Sequence, residues 1–218
     1  RDPSGSLFLS NSDMPFPTYA VSTELDAVNQ ILSSVGQAPV TTLDLQNPEV
    51  AIVLNTLREV NKQVQSEGWI FNTERDYTLT PDSVTKEIVY PTNALAMDTD
   101  INTQNVELDT VRRNGKLYDR MHHTFKFEKE LKANIVWLFD FTDVPPAIQQ
   151  YITARAAKMC ATKMVGDKEI YQLLTEQEGF TRAGAIEYEC NQGDYSMFGF
   201  KNGQDFYTSY QPFNALMR

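Results

Sequence analysis

Cysteine is almost absent from this 218-residue chain: Cys160 and Cys190 are the whole supply. A disulfide framework is therefore ruled out as the organising device, and a reducing cytoplasm is the natural setting for the folding chain. Histidine is equally scarce, with only the adjacent pair His122 and His123. Two histidines and two scattered thiols are too few for a dedicated zinc or iron site, so no metal and no cofactor is expected. Long apolar runs are missing as well. The longest, 135–139, falls far short of the roughly 18 residues that span a bilayer, and reads as a strand. Basic clusters larger than Arg112-Arg113 do not occur, and the net charge is −10. A sequence-reading nucleic-acid binder, which gathers Lys and Arg to displace counterions, is thereby disfavoured. An acidic protein can still surround DNA that must slide past without sticking. Nucleophile and phosphate-binding motifs are also lacking: there is no GxSxG elbow, no GxxxxGK[ST] loop and no GxGxxG turn.

What remains is ordinary globular composition, 41% hydrophobic and 22% charged, in a chain long enough for one generous core or a main domain with an insert. Nothing at the start resembles a signal peptide. Met14 is a plausible native start, and residues 1–13 read either as an addition or as a genuine extension.

The clearest local signal lies at residues 23–43. Leu25, Val28, Leu32 and Val35 recur at helical spacing, with Ile31 widening the stripe. Thr23 and Asp26 stand three apart, as a capping pair requires. Gly36 supplies a left-handed stop and Pro39 blocks continuation. A second helix is predicted over 48–67 from the Asn47-Pro48 start and the stripe Val50, Val53, Leu54, Leu57, Val60 and Val64. From Trp69 the period changes. Strand-like pieces at 69–72, 77–80, 87–90, 106–112, 116–118, 124–127 and 134–141 alternate with turn formers, and Asn114-Gly115 is the strongest hairpin signal in the chain. Helical spacing returns at Asp143-Val144-Pro145-Pro146, read as a capped, proline-primed start, with Ile148, Tyr151, Ile152, Arg155 and Met159 in phase through about Met164. After Gly166-Asp167 a fourth helix is expected over 168–191. Its apolar positions are Ile170, Leu173, Leu174, Phe180, Ala183, Ile186 and Tyr188, and Gly179 and Gly184 mark a place for a kink.

The fold class read from this order is α+β: a four-helix-type bundle with an antiparallel β domain inserted between helices two and three, plus an extended C-terminal arm. The expected parts are an N-terminal lead (1–19), a discontinuous helical domain (20–68 and 145–192), the inserted β domain (69–144) and the arm (193–218). The arm holds seven tyrosines and phenylalanines in 26 residues, against ten Tyr and twelve Phe in the whole chain. It is too short to form its own core and too aromatic to float in water, so it should lie on something. Tyr195, Phe198, Phe200, Phe206, Tyr207 and Phe213 are the expected partner-contacting residues.

Chemistry has few other places to reside. The His122-His123 pair with nearby Asp119 reads as a solvated loop. The carboxylate pairs Glu128/Glu130, Glu176/Glu178 and Glu187/Glu189 read as solvated faces, since residues two apart on a helix diverge. Cys160 and Cys190 read as small helix-packing residues. Arg112-Arg113 reads as a charged strand end guarding an edge, with a grip on DNA or a carboxylate as the alternative.

The first helix with its Gly36–Pro39 end, the Gly68-Trp69-Ile70-Phe71-Asn72 step, Ile88-Val89-Tyr90-Pro91, Tyr118-Asp119-Arg120, Asp143-Val144-Pro145-Pro146 with Tyr151-Ile152, Glu187-Tyr188-Glu189 and Gly193-Asp194-Tyr195-Ser196-Met197 together resemble the tail tubular protein A family of short-tailed phages. The likeness covers most of residues 20–200 in order. Residues 1–19 and the tail beyond about Phe200 depart from it. The resemblance implies a virion tail protein, assembled in the bacterial host cytoplasm and without catalytic residues. It implies a twelve-fold ring of this chain between the portal protein and the tail nozzle protein, with tail fibres attached nearby. Such a ring encloses passing double-stranded DNA without reading it. The alternatives from other classes are a dual-function tail protein that also hydrolyses cell-wall or polysaccharide glycans, and a ligand-binding module unrelated to phage.

Overall fold

The computed structural model describes residues 22–99 and 108–193. Four helices, α1 (Glu24–Ser34), α2 (Pro48–Gln65), α3 (Pro146–Met164) and α4 (Lys168–Gln192), flank in chain order five strands, β1 (Thr73–Leu79), β2 (Ala94–Thr99), β3 (Thr110–Arg113), β4 (Lys116–Asp119) and β5 (Leu131–Trp137). The architecture is α+β.

Each helix boundary has a local cause. Thr23 Oγ1 accepts from the Asp26 N–H at 3.2 Å and Asp26 Oδ2 accepts from the Thr23 N–H at 2.9 Å, the reciprocal box expected from the sequence. Gly36 then takes φ +78°, and the Gln37 N–H reaches back to the Leu32 carbonyl at 2.9 Å. Asn47 caps α2 through the Glu49 N–H, and Asp167 caps α4 through the Glu169 N–H. The start of α3 differs from expectation. Pro145 occupies the cap position with no side-chain bond, and its carbonyl accepts from Ile148 and Gln149 at 2.9 Å each, while Asp143 ends a short 3-10 turn, Phe141–Asp143.

Helix α3 is the centre of the helical core and contacts α1, α2 and α4. Its buried residues run round nearly its whole circumference, and the small side chains Ala154, Ala156, Ala157 and Ala161 let three helices approach it. Val28, Ile31 and Leu32 from α1 and Val53, Leu57 and Val60 from α2 close on Ile148, Tyr151 and Ile152. α4 is a different case. It runs unbroken through Gly179 and Gly184, but of its expected stripe only Leu174 is buried; Leu173, Phe180 and Ile186 face solvent. The reason is one-sided support: α4 contacts α3 strongly and buries only the side that touches it.

The strands gather round a second cluster built from Leu79, Ile88, Tyr90, Ala94, Leu117, Phe127, Leu131, Ala133 and Ile135. β5 is the middle strand of an antiparallel sheet in the order β1-β5-β2, and its alternate residues Leu131, Ala133 and Ile135 point inward. β3 and β4 form the expected hairpin, with Asn114 at φ +52° and Gly115 at φ +72° in the turn.

Three strand expectations fail. Residues 69–72 contain a 3-10 turn, Ile70–Asn72, because the Asn72 side chain accepts the Trp69 N–H and tightens the chain. Residues 87–90 and 124–127 make only single bridges, Glu87 to Lys126, Val89 to Lys116 and Asp119 to Thr124. Conversely β2 was not expected, since Ala94, Ala96 and Met97 carry weak strand preference; pairing with β5 overrides it.

Gly68 takes φ +77°, and a Cβ there would stand 3.6 Å from Val136 Cγ2, an ordinary contact. A Gly68→Ala chain should therefore lose about 1–2 kcal/mol from backbone strain alone. Urea denaturation measures it, and a loss below about 0.3 kcal/mol would show that the turn relaxes freely.

Candidate functional site

The Gly68-Trp69 step that stands out in the sequence is the joint between the helical core and the sheet. Gly68 turns the chain off α2 so that the Trp69 ring goes inward, where it meets Tyr151 edge-on at 6.4 Å and its Nε1–H donates to the Val64 carbonyl at 2.8 Å. Beside it lies a buried polar lattice. Gln65, fully buried, donates through Nε2 to the Phe139 carbonyl and to Asn61 Oδ1 at 2.8 Å each, and accepts the Phe139 N–H on Oε1 at 2.8 Å. Asn72 Nδ2 donates to the Gln65 carbonyl at 2.8 Å and to the Trp137 carbonyl at 2.9 Å. Two side-chain amides thus bind the end of α2 to the chain leaving β5. The sequence carried a signal for this that the helix reading passed over: Asn61 and Gln65 are polar residues in phase with the apolar stripe through Leu57.

α4 meets the same joint. Glu189 Oε1 accepts the Ile70 N–H at 2.6 Å, and Glu178 pairs with Lys158 and approaches Arg155. Arg155 in turn donates to Glu67 and to the Tyr151 hydroxyl, both at 3.1 Å. Glu178 and Glu189 are therefore structural tethers, which corrects their reading as solvated faces. Glu176 and Glu187 are exposed, as are Glu128 and Glu130.

Neither histidine is buried. His122 Nδ1 lies 2.6 Å from Asp119 Oδ2, and Asp119, itself buried, also accepts the Met121 N–H at 2.8 Å. Burial pushes the Asp119 carboxyl up, but the bonds from His122 and Met121 outweigh it and hold the group below its ordinary value. A depressed carboxyl stabilises the fold fully above the unfolded value of 3.8, and loses that contribution as the pH falls through the lower folded value. Asp119→Asn should accordingly flatten the decline of stability below about pH 4. Urea melts of both chains across that range check this, and parallel slopes would contradict it.

Cys160 is buried in the helical core, where burial pushes its thiol up. Cys190 is exposed, so the packing role expected of both thiols holds for Cys160 only. Arg112 and Arg113 lie exposed on β3 with guanidinium carbons 5.0 Å from the Tyr90 ring centre and 4.2 Å from the Tyr118 ring centre. Among the described residues no group of three or more His, Cys, Asp and Glu side chains could hold a metal ion, and no helix is long and apolar enough to cross a membrane. Tyr195, Phe198, Phe200, Phe206, Tyr207 and Phe213 lie outside the described residues.

The features of this site are joints and open faces. The family model for tail tubular protein matches residues 25–195, which contain both hydrophobic clusters and the joint between them. The chain belongs to the tail tubular protein family. It is also similar to tail tubular protein A of Klebsiella phage KP34, with 28% identity over 171 residues, covering 78% of this chain and 88% of the relative. As a tail tubular protein the chain is a structural component of a phage tail. The resemblance seen in the sequence is thereby established for most of its length.

Proposed function

We propose that this chain is the ring-forming adaptor that joins the capsid portal to the tail nozzle, with twelve copies enclosing part of the DNA ejection channel and helping to anchor tail fibres. The observation that carries the reading is the family match over residues 25–195, a span that takes in both hydrophobic clusters. An adaptor needs two differently built surfaces held in fixed relation. We assign one to a helical bundle (20–68 and 145–192) facing the portal, and the other to the inserted β domain (69–144) facing the nozzle. The Gln65–Asn72 lattice supports that division, since directional bonds set an angle where apolar contact alone would allow sliding. The net charge of −10 suits a DNA passage, because like charge keeps phosphate from adhering. The aromatic segment 193–218 is assigned to contacts with a neighbouring copy or the portal. A glycan-hydrolysing side activity gains no support from Glu178 and Glu189, which are engaged in tethering. Co-sedimentation of the purified chain with portal particles tests the proposal. Saturable binding at twelve copies per portal is expected; no binding at any concentration would reject it.

A further inference from the structure

Two surfaces of the described chain are left open, and they are complementary. The first is the outer side of α4. Leu173, Glu176, Phe180, Ala183 and Glu187 follow steps of three and four residues and so share one face. Phe180 is 80% exposed and Leu173 67%. Among the described residues neither Glu176 nor Glu187 takes part in an ion pair. Gly184 adjoins Phe180 one turn on, with nothing within 4 Å of where its Cβ would be. A mid-helix glycine that the monomer does not need leaves a shallow seat beside an exposed ring.

The second surface is the outer side of the β3–β4 hairpin. Val89 bridges to Lys116, and Arg113 pairs with Lys116 across the hairpin, so Val89, Arg113, Lys116 and Tyr118 share a side. Val89 is 70% exposed, and the Tyr118 ring meets Phe125 edge-on at 4.8 Å. Lys116 is neutralised by Glu87 at 2.6 Å, whereas the Arg113 guanidinium stands over the Tyr118 ring and, among the described residues, takes part in no ion pair. One surface is thus apolar and acidic, the other apolar and basic, in a chain whose overall charge repels copies of itself.

We propose that the β3–β4 face of one copy docks on the α4 face of a second copy, with Arg113 meeting the acidic Glu176–Glu187 side of α4 beside the Phe180 ring. This inference rests on the ring-forming reading and names the surfaces that make the ring. Two different patches on one chain give a head-to-tail contact, the kind that closes rings. Tyr and Arg on one side and an exposed Phe on the other are the residue types that anchor interfaces.

A charge swap in the full chain tests it. Arg113→Glu in one protein and Glu176→Lys/Glu187→Lys in another change only exposed side chains, and circular dichroism should confirm both fold. By sedimentation velocity each variant alone should self-associate at least about ten-fold more weakly than the unaltered chain, because like charges then face each other. An equimolar mixture should regain association, since both junctions are again opposite in sign. If the variants assemble like the unaltered chain, or lose only binding to another tail protein or to DNA, the face pairing is wrong while the ring reading stands. If each variant fails but the mixture does not recover, α4 is not the partner and the pairing is again wrong. If the unaltered chain never assembles, alone or on portal particles, the ring reading falls with it.

Discussion

Replacing Gln65 by leucine is expected to lower the folding stability by about 2–4 kcal/mol, although leucine is the better helix former and equally large. The loss comes from what the side chain leaves behind. Gln65, itself fully buried, serves both the N–H and the carbonyl of half-buried Phe139 and holds Asn61 in place. Without it the Phe139 N–H loses its partner and the Phe139 carbonyl keeps only the long 3.4 Å bond from Asn61 Nδ2, and a group left unsatisfied in this way costs roughly 1–3 kcal/mol. Asn72→Leu should do comparable damage, because its amide serves the Gln65 and Trp137 carbonyls and its oxygen serves the Trp69 N–H. The two changes together should cost less than their separate effects added, since the residues belong to one lattice. Urea denaturation of the single and double variants measures this. A Gln65→Leu loss below about 0.5 kcal/mol would show that water takes over the bonds, and that the joint is softer than its geometry states.

The helices were more legible in the sequence than this joint. Thr23, Asp26, Gly36, Asn47 and Gly68 act on neighbours a few residues away, so their spacing alone reports what they do. Gln65 acts on Phe139, 74 positions away, and no local pattern announces that distance. The strand errors have the same origin. Glu87–Tyr90 has the residue types of a strand and makes single bridges only, while Ala94–Thr99 lacks those types and is a strand because β5 accepts it. α4 shows the converse. Its apolar residues were visible, but which of them are covered depends on what lies alongside, and in this chain α3 covers only one side. For the candidate site, Arg112-Arg113 and the hairpin were evident from Asn114-Gly115, whereas the tethering roles of Glu178 and Glu189 required the fold.

Deleting residues 195–218 is expected to abolish ring and portal assembly while shifting the melting temperature of the monomer by no more than about 2 °C, roughly what loss of 0.5–1 kcal/mol would produce in a chain of this size. The removed segment carries Tyr195, Phe198, Phe200, Phe206, Tyr207 and Phe213. Among the described residues the two hydrophobic clusters are formed between Ala27 and Tyr188. Aromatic side chains of this kind bury large area for little rotamer entropy, so a few of them dominate an interface. Thermal melts and sedimentation of the truncated chain decide the matter. Should the truncated monomer unfold or aggregate, the segment belongs to the chain's own core and the assigned role in contacts is wrong.

The central claim is that this tail tubular protein forms the ring between portal and nozzle. Electron microscopy of the purified chain mixed with portal particles tests it most directly. A closed ring of twelve copies seated on the portal, with an open central channel wide enough for a DNA duplex, is expected. Portal particles left bare in the presence of excess folded chain, or copies bound singly without closing a ring, would contradict it.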